Sequence, residues 1–382
     1  MGATAAFEKF HEKHQPAIDE HLDAFFTELQ EQETEYRKAA TIERFSEFVL
    51  RGGKRLRPLS VLLGHGAVTG EDPDDPLYRL SLPVEIYHNG TLIQDDFMDQ
   101  DGTRRGGPAY HRLVLDRYRE ILPTPSIPSQ AVKRVNGFLR PGLESADRRE
   151  MAAGSQAITG GNQLDNFADW PIYEADLDAE TQTELLRILN ETGISVNFGQ
   201  DLDLEMEQLT LRDVARERGV LSPSLREQVR TGVHDAAAWA QGRVDHPGVE
   251  DGLSRVMDRT DTDNDLYNHI LNEHGTLVDA YINMIDEKTV DLYVASIDIG
   301  AVVGGATQRQ RDYLRDAMRD IGRAFQIQDD YLEIEESVEQ TGKEPTDVIN
   351  GKLTLASIST YESLNTVVDV LEGAADRFDT ER

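Results

Sequence analysis

The chain has 382 residues, with 71 Asp+Glu against 39 Lys+Arg and a formal net charge of −32. Such a balance excludes nucleic acid as a default partner and disfavours an anionic membrane surface, because both call for a basic protein face. The absence of cysteine excludes disulfides, thiolate catalysis and Cys-ligated zinc.

The acid excess is spread along the whole chain, and there are 8 Lys against 31 Arg. With 38% apolar residues, this reads as a surface adapted to high salt, where self-repulsion is screened. Met1–Gln15 has no apolar core of signal-peptide length, and no apolar run approaches membrane-spanning length. The expectation is a cytoplasmic protein with no membrane insertion.

In chain order, Ile42, Phe45, Phe48 and Val49 predict an amphipathic helix, followed by the basic loop GGKRLRP at 52–58. Leu80, Val84, Tyr87, Thr91 and Asp95 fall on one helical stripe, which runs into LIQDDFMD at 92–99. Arg104 and Arg105 follow in GTRRGGP. Residues 113–153 contain Pro123, Pro125, Pro128 and Pro141, which break helices. Leu185, Leu186, Leu189, Ile194 and Phe198 predict another helix. Residues 210–280 are polar, very acidic and interrupted by Pro223 and Pro247. Both unusual stretches, 113–153 and 210–280, read as insertions in a single helical domain spanning 1–382. Within the second, Asp261–Asp265 has the look of a calcium loop, but Leu266 and Asn272 stand where Gly and Glu are needed, so it reads as a solvated turn. Ile321, Phe325, Asp329 and Glu333 form a third stripe. Gly342-Lys343, Asp347 and Gly351-Lys352 come after it. No alternating pattern is long enough for a sheet.

Asp95 and Asp99 are four residues apart and share a helix face, with Asp96 beside them. Three carboxylates at a helix end repel one another unless a cation is present, and Mg2+ takes one or two carboxylates together with substrate phosphates. The bland reading is a solvated acidic helix end, and in so acidic a chain the motif alone means little. Paired arginines after it can clamp diphosphate oxygens with forked hydrogen bonds, although a surface ion-pair network would use Arg equally well. Asp329, Asp330 and Glu333 repeat the acidic design. Four of the 8 lysines, Lys54, Lys288, Lys343 and Lys352, sit beside Gly or Thr near these motifs. Each alone could be an ordinary surface residue. Together they supply cations for two diphosphates.

These segments resemble the trans-isoprenyl diphosphate synthase (polyprenyl synthetase) family. The resemblance rests on GGKRLRP, Glu85 and His88 leading into LIQDDFMD, RRGGP at 104–108, GGNQL at 160–164, GQDLDL at 199–204, Lys288-Thr289, FQIQDD at 325–330 and the GK…D…GK series at 342–352. It implies an all-α isoprenoid-synthase bundle around a central cavity, a homodimer, and three Mg2+ ions, with Mn2+ as a substitute. By that resemblance Asp95, Asp96, Asp99, Asp329, Asp330 and Glu333 hold metal. Arg104, Lys288, Lys343 and Lys352 hold the allylic diphosphate, and Gly53, Lys54, Arg57, His88 and Arg105 hold isopentenyl diphosphate. Thr289 and Gln326 line the cavity near the developing cation, so that Asp95, Asp96, Lys288, Thr289 and Gln326 form the catalytic set. The implied reaction is condensation of the two diphosphates. No Ser-His-Asp or Cys-His constellation is needed for it, and His88 is assigned to binding.

The resemblance also implies that the growing chain runs down the helix before the first motif. Bulky residues four or five before Asp95 would stop it early. Thr91 and Gly90 are small, and Tyr87 is the first bulky floor candidate, which predicts a C20 product, with C25 or longer as the alternative. Tyr87 could instead merely pack between helices. Two further alternatives stay open: a catalytically inactive regulatory partner, and a class I terpene cyclase, against which Lys54, Arg57 and Arg105 argue.

Overall fold

The structure is a computed structural model that describes residues 3–121, 145–209 and 265–335. The described residues fall into two compact units, one within 1–191 and 292–318 and the other within 192–291 and 319–382. Among the described residues the fold is all-α apart from one two-residue hairpin.

The first unit begins with α1 (Ala3–Gln32), which contains Pro16 and buries Ile18, Leu22, Phe25, Phe26 and Leu29. In α2 (Tyr36–Leu50) the four predicted apolar positions, Ile42, Phe45, Phe48 and Val49, are all buried. Next come α3 (Leu56–Thr69), α4 (Asp75–Leu80) and α5 (Leu82–Met98). The stripe expected from Leu80 to Asp95 is therefore divided. Asp74 caps α4 by accepting from Leu77 N, and Pro83 opens α5 at its first turn, where a missing N–H costs nothing. Leu80, Val84 and Tyr87 are buried, while Thr91 and Asp95 are half-buried.

The hairpin pairs β1 (Thr103–Arg104) with β2 (Gly107–Pro108). Its central residues, Arg105 and Gly106, have φ of 51° and 73°, the left-handed pair that a tight two-residue turn requires. A ladder of two residues per strand is too short to leave an alternating pattern in the sequence. Arg51 braces it by donating from Nη1 to the Pro108 carbonyl at 2.6 Å. Then follow α6 (Tyr110–Ile121), α7 (Ser145–Ala168), α8 (Trp170–Tyr173) and α9 (Ala179–Met206). Two parts of the expected 113–153 insertion are thus helical. Val114 and Leu115 are buried in α6, and Ala153 is buried in α7. The prolines lie outside the described residues.

The first unit is completed by residues of α12 (Asp291–Val303) and the start of α13 (Gln308–Glu335). Gly64 of α3 and Gly300 of α12 let these helices meet backbone to backbone, since an added Cβ would collide with Ile297 O or Val61 O respectively.

The second unit holds the end of α9, α10 (Asp265–His274), α11 (Leu277–Ile285), a π-helical turn (Asp286–Val290) and the end of α13. Thr276 caps α11 by accepting from Asp279 N. The core here joins Leu202, Met206 and Leu209 to Ile270, Leu277, Tyr281, Met284 and Ile285. Residues 265–274 and 277–280 of the expected second insertion are thus helical and contribute to this core; Asp261–Asn264 lie outside the described residues. Two helical stripes also differ from expectation. Leu185 and Leu189 are buried, but Ile194 and Phe198 are 59% and 62% exposed, because α9 turns Thr192, Gly193, Val196 and Gly199 inward instead. On α13, Ile321 and Asp329 are exposed and Phe325 is half-buried.

Candidate active site

The first unit gathers a basic site around the loop between α2 and α3. Gly52, Gly53 and Arg55 have φ of 90°, 124° and 50°. Gly53 is required by its backbone, which a side chain would strain, and an added Cβ would also stand 3.1 Å from the Arg105 guanidinium carbon, so that side chain would have to shift slightly. Helix α1 fixes the loop: Gln15 Nε2 donates to Gly53 O at 2.9 Å, and a His11 ring nitrogen lies 3.0 Å from Lys54 O. Arg55 is fully buried. It donates to Asp19 Oδ1 at 2.7 Å, to Glu85 Oε1 at 2.6 Å and to Val49 O at 2.8 Å.

From Glu85 the network continues along α5. Asn89 donates to Glu85 O, and Arg105 Nη1 donates to Asn89 Oδ1 at 3.2 Å. The Arg57 guanidinium lies over the Tyr293 ring, 4.4 Å from its centroid, and its buried Nε has no hydrogen-bond acceptor. Half-buried His88 stands among these cations. Burial first, and then Arg57, Arg105, Arg104 and Arg55, hold its imidazole well below the usual range, so it is neutral at pH 7. Burial also lowers the Arg105 pKa, helped by its guanidinium neighbours and opposed by Glu85. Lys54 is exposed.

The hairpin sends its paired arginines to different places. Arg105 joins the basic loop, whereas Arg104 turns to the acidic end of α5. Arg104 Nε donates to Asp96 Oδ1 at 2.6 Å, its Nη2 contacts the same oxygen, and it lies 3.6 Å from Asp101 and 3.9 Å from Asp95. Asp96 is fully buried. Burial pushes its carboxyl up to about 6 against the pull of Arg104, with Asp95 and Asp101 adding to the rise. Asp95 and Asp99 are half-buried on the same helix end.

These donors suit a hard divalent cation in kind, and buried Asp96 Oδ2 accepts no hydrogen bond. Among the described residues, however, no three His, Asp or Glu side chains gather closely enough to hold an ion. Arg104 is a cation within ion-pair distance of Asp96, Asp95 and Asp101 here.

Chain-length candidates lie on the face of α5 toward α7. Tyr87 is buried, and burial followed by the Asp165 charge raises its phenol pKa. Thr91 turns its hydroxyl onto its own helix, donating to His88 O at 2.8 Å. Gly90 meets α7 directly.

In the second unit, Lys288 and Thr289 occupy the π-helical turn, a distortion frequent at functional sites. Lys288 Nζ donates to Asp203 Oδ2 at 2.5 Å. Gly199 permits this approach, because an added Cβ would collide with the Lys288 backbone nitrogen. Asp330 accepts from Tyr281 OH at 2.5 Å and from Gln326 Nε2 at 2.7 Å, so both its oxygens are engaged, while Asp329 is exposed. Glu333 lies in α13, with its side chain outside the described residues, as are Lys343 and Lys352.

The sequence reading missed Arg55, Glu85 as a buried ion-pair partner, and Asp203. Arg55 and Asp203 lie inside GGKRLRP and GQDLDL, so the signal was present, but residue type alone does not reveal which charged side chain turns inward. Nothing in the sequence marked His11, Gln15 and Asp19 as supports of a loop some 40 residues away.

A family model described as polyprenyl synthetase matches residues 39–130 and 256–377. The chain is 26% identical over 327 residues to a short chain isoprenyl diphosphate synthase of Methanothermobacter thermautotrophicus, covering 84% of this chain and 67% of that protein. It is 25% identical to a geranylgeranyl diphosphate synthase of Methanosarcina mazei, covering 81% and 64%. It is 24% identical to a geranylfarnesyl diphosphate synthase of Natronomonas pharaonis, covering 80% and 64%. The chain thus spans about two thirds of the length of these relatives. Among solved structures, a geranylgeranyl pyrophosphate synthase of Corynebacterium glutamicum, complexed with isoprenyl diphosphate and magnesium, superposes with a TM-score of 0.58 at 22% identity, covering 91% of this chain and 74% of the other. A geranylgeranyl pyrophosphate synthetase of Pyrococcus horikoshii gives the same score and identity, covering 94% and 76%. These likenesses establish the all-α fold.

Proposed function

The chain belongs to the polyprenyl synthetase family, and from that premise we propose that it is a prenyltransferase condensing isopentenyl diphosphate with an allylic diphosphate. The observation that carries the reading is the cluster of Arg55, Arg57, Arg104 and Arg105 around a neutral His88 in a protein of net charge −32. Four guanidinium groups repel one another unless anions face them. Arg55 and Arg104 have carboxylate partners, whereas Arg57 rests on an aromatic ring with its buried Nε unsatisfied. A diphosphate supplies the missing acceptors and charge.

In this reading Gly53, Lys54, Arg57, His88 and Arg105 bind the isopentenyl diphosphate. Gly53 brings the backbone close to the phosphate, and neutral His88 offers a hydrogen bond without claiming a proton. Arg104, Lys288, Lys343 and Lys352 bind the allylic diphosphate. The guanidinium of Arg104 has five donors, so it can hold Asp96 and a phosphate oxygen together. Asp95, Asp96, Asp99, Asp329, Asp330 and Glu333 would hold Mg2+, three ions in all with Mn2+ as a substitute. A metal held by these carboxylates would supply positive charge to the leaving diphosphate and so favour ionisation of the allylic C–O bond. Thr289 and Gln326 line the path of the allylic cation, which the isopentenyl double bond attacks. The surplus proton leaves to a diphosphate oxygen, so no side-chain base is required.

The reading treats the whole chain as one prenyl synthase domain acting as a homodimer in a salt-rich cytoplasm. No described helix is long and apolar enough to cross a membrane. The product is C20, set by Tyr87, Gly90 and Thr91. A C25 product is the second reading, favoured by the likeness to a geranylfarnesyl diphosphate synthase.

The test supplies purified protein in high salt and Mg2+ with labelled isopentenyl diphosphate and, in turn, dimethylallyl, geranyl or farnesyl diphosphate. Incorporation with products sized at C20 is expected. No incorporation with any primer at any salt concentration would favour the inactive-partner reading instead.

A further inference from the structure

Helices α5 and α7 meet along a seam with an unusual exchange in it. At Gln94 and Phe97, α5 contributes a side chain, and α7 makes room with Gly161 and Gly154, where an added Cβ would collide with those side chains. At Gly90 the roles reverse. A Cβ there would stand 2.5 Å from Asp165 Oδ1, 3.0 Å from Gly161 O and 3.3 Å from Leu164 Cβ. The space that Gly90 leaves is filled by the Asp165 carboxyl.

That carboxyl is out of place for a simple packing group. Its Oδ1 is buried without a hydrogen-bond partner, and Tyr87, three residues before Gly90 on α5, feels its charge. A seam that needed only filling would be served better by an apolar side chain, because an unsatisfied buried oxygen is costly. Burial, with Asp169 adding, pushes the Asp165 carboxyl up to about 7, so a large part of it is neutral near pH 7 and tolerates an apolar neighbour.

Gly90 lies five residues before Asp95, about 7.5 Å along the helix axis at 1.5 Å per residue. Tyr87 lies eight before, about 12 Å. Resting on the prenyl-transfer reading, we infer that Asp165 is a chain-length-determining residue, supplying from α7 the wall that α5 lacks at Gly90 and acting one turn above Tyr87.

The test measures product length for the wild-type protein, Asp165→Ala and Asp165→Glu with the same primer, alongside the thermal unfolding of each. Asp165→Ala is expected to lengthen the main product by at least one C5 unit. Asp165→Glu, which extends the carboxyl by one methylene, is expected to shift products shorter. A residue that only packs the seam would change stability and total turnover without moving product length in opposite directions. If Asp165→Ala does not fold, the shift in Asp165→Glu decides by itself. An active wild-type protein with the same product length in every folded variant overturns the role of Asp165 alone. A wild-type protein that incorporates nothing overturns the prenyl-transfer reading and this inference with it.

Discussion

Arg55 Nη1 donates to Glu85 Oε1 at 2.6 Å, with the side chains 0% and 3% exposed. This pair ties the loop that carries Gly53 and Lys54 to the helix that carries His88 and Asp96. Glu85→Ala leaves a buried guanidinium short of its main partner, and breaking such a pair costs about 3–5 kcal/mol. The lower end is expected, because Asp19 still accepts from Arg55 at 2.7 Å. The urea midpoint should fall with an unchanged m-value; an unmoved midpoint would show that the pair contributes little.

Arg57→Ala should weaken diphosphate binding. Losing hydrogen bonds to a charged group costs about 1.5–3 kcal/mol, or roughly 10- to 150-fold in affinity. The change should appear in the KM for isopentenyl diphosphate and in direct titration with inorganic diphosphate. Equal affinity in the variant would remove Arg57 from the anion site.

Lys288 and Asp203 should be coupled. Lys288→Met takes the ammonium away from a carboxylate that is only 9% exposed, so that variant should be less stable than the double variant Lys288→Met/Asp203→Asn. A coupling energy of about 0.5–3 kcal/mol is expected from a double-mutant cycle read by denaturant unfolding. Strict additivity would mean that the 2.5 Å contact is not maintained in solution.

Tyr87→Ala should lengthen products, while Tyr87→Phe keeps the ring and should leave them unchanged. The Ala variant also opens a cavity costing about 3–5 kcal/mol, so it should be assayed well below its melting temperature. Product analysis showing no lengthening would leave Tyr87 as a packing residue between helices.

Asp165 should make stability depend on pH. Its folded-state carboxyl sits at about 7 against an ordinary 3.8, raised first by burial and then by Asp169. The folded state therefore holds a proton that the unfolded state releases in this window. The stabilisation is fully present below about pH 4 and is lost as pH rises through about 7. Asp165→Asn should flatten this decline in unfolding free energies measured from pH 4 to 8. Parallel curves for the two proteins would contradict the buried position of the carboxyl.

Parts of the site were readable because local chemistry constrains them. Gly53 was recognisable beside Lys54, and its φ of 124° shows why a glycine stands there. The four apolar positions of α2 follow helical spacing and are all buried. Other parts were not readable. The pair Arg104-Arg105 looks like one clamp, but a tight turn with φ of 51° at Arg105 separates the two side chains, one to Asp96 and one to Asn89. Ile194 and Phe198 match a helical stripe and are nonetheless exposed, since periodicity identifies a face without saying what covers it.

The sequence by itself determined the residue types that the chemistry needs: carboxylates in two clusters, arginines and lysines beside glycine, and no nucleophilic cysteine. It also determined the helical character, because propensity and spacing are local properties. Only the tertiary structure decided which charges are buried and how they pair. It placed Arg55 against Glu85, Arg104 against Asp96 and Lys288 against Asp203, and it put the Asp165 carboxyl in the space left by Gly90. Such pairings join residues up to 85 positions apart. Burial and electrostatic pairing depend on which helices pack together, and that is a property of the whole fold.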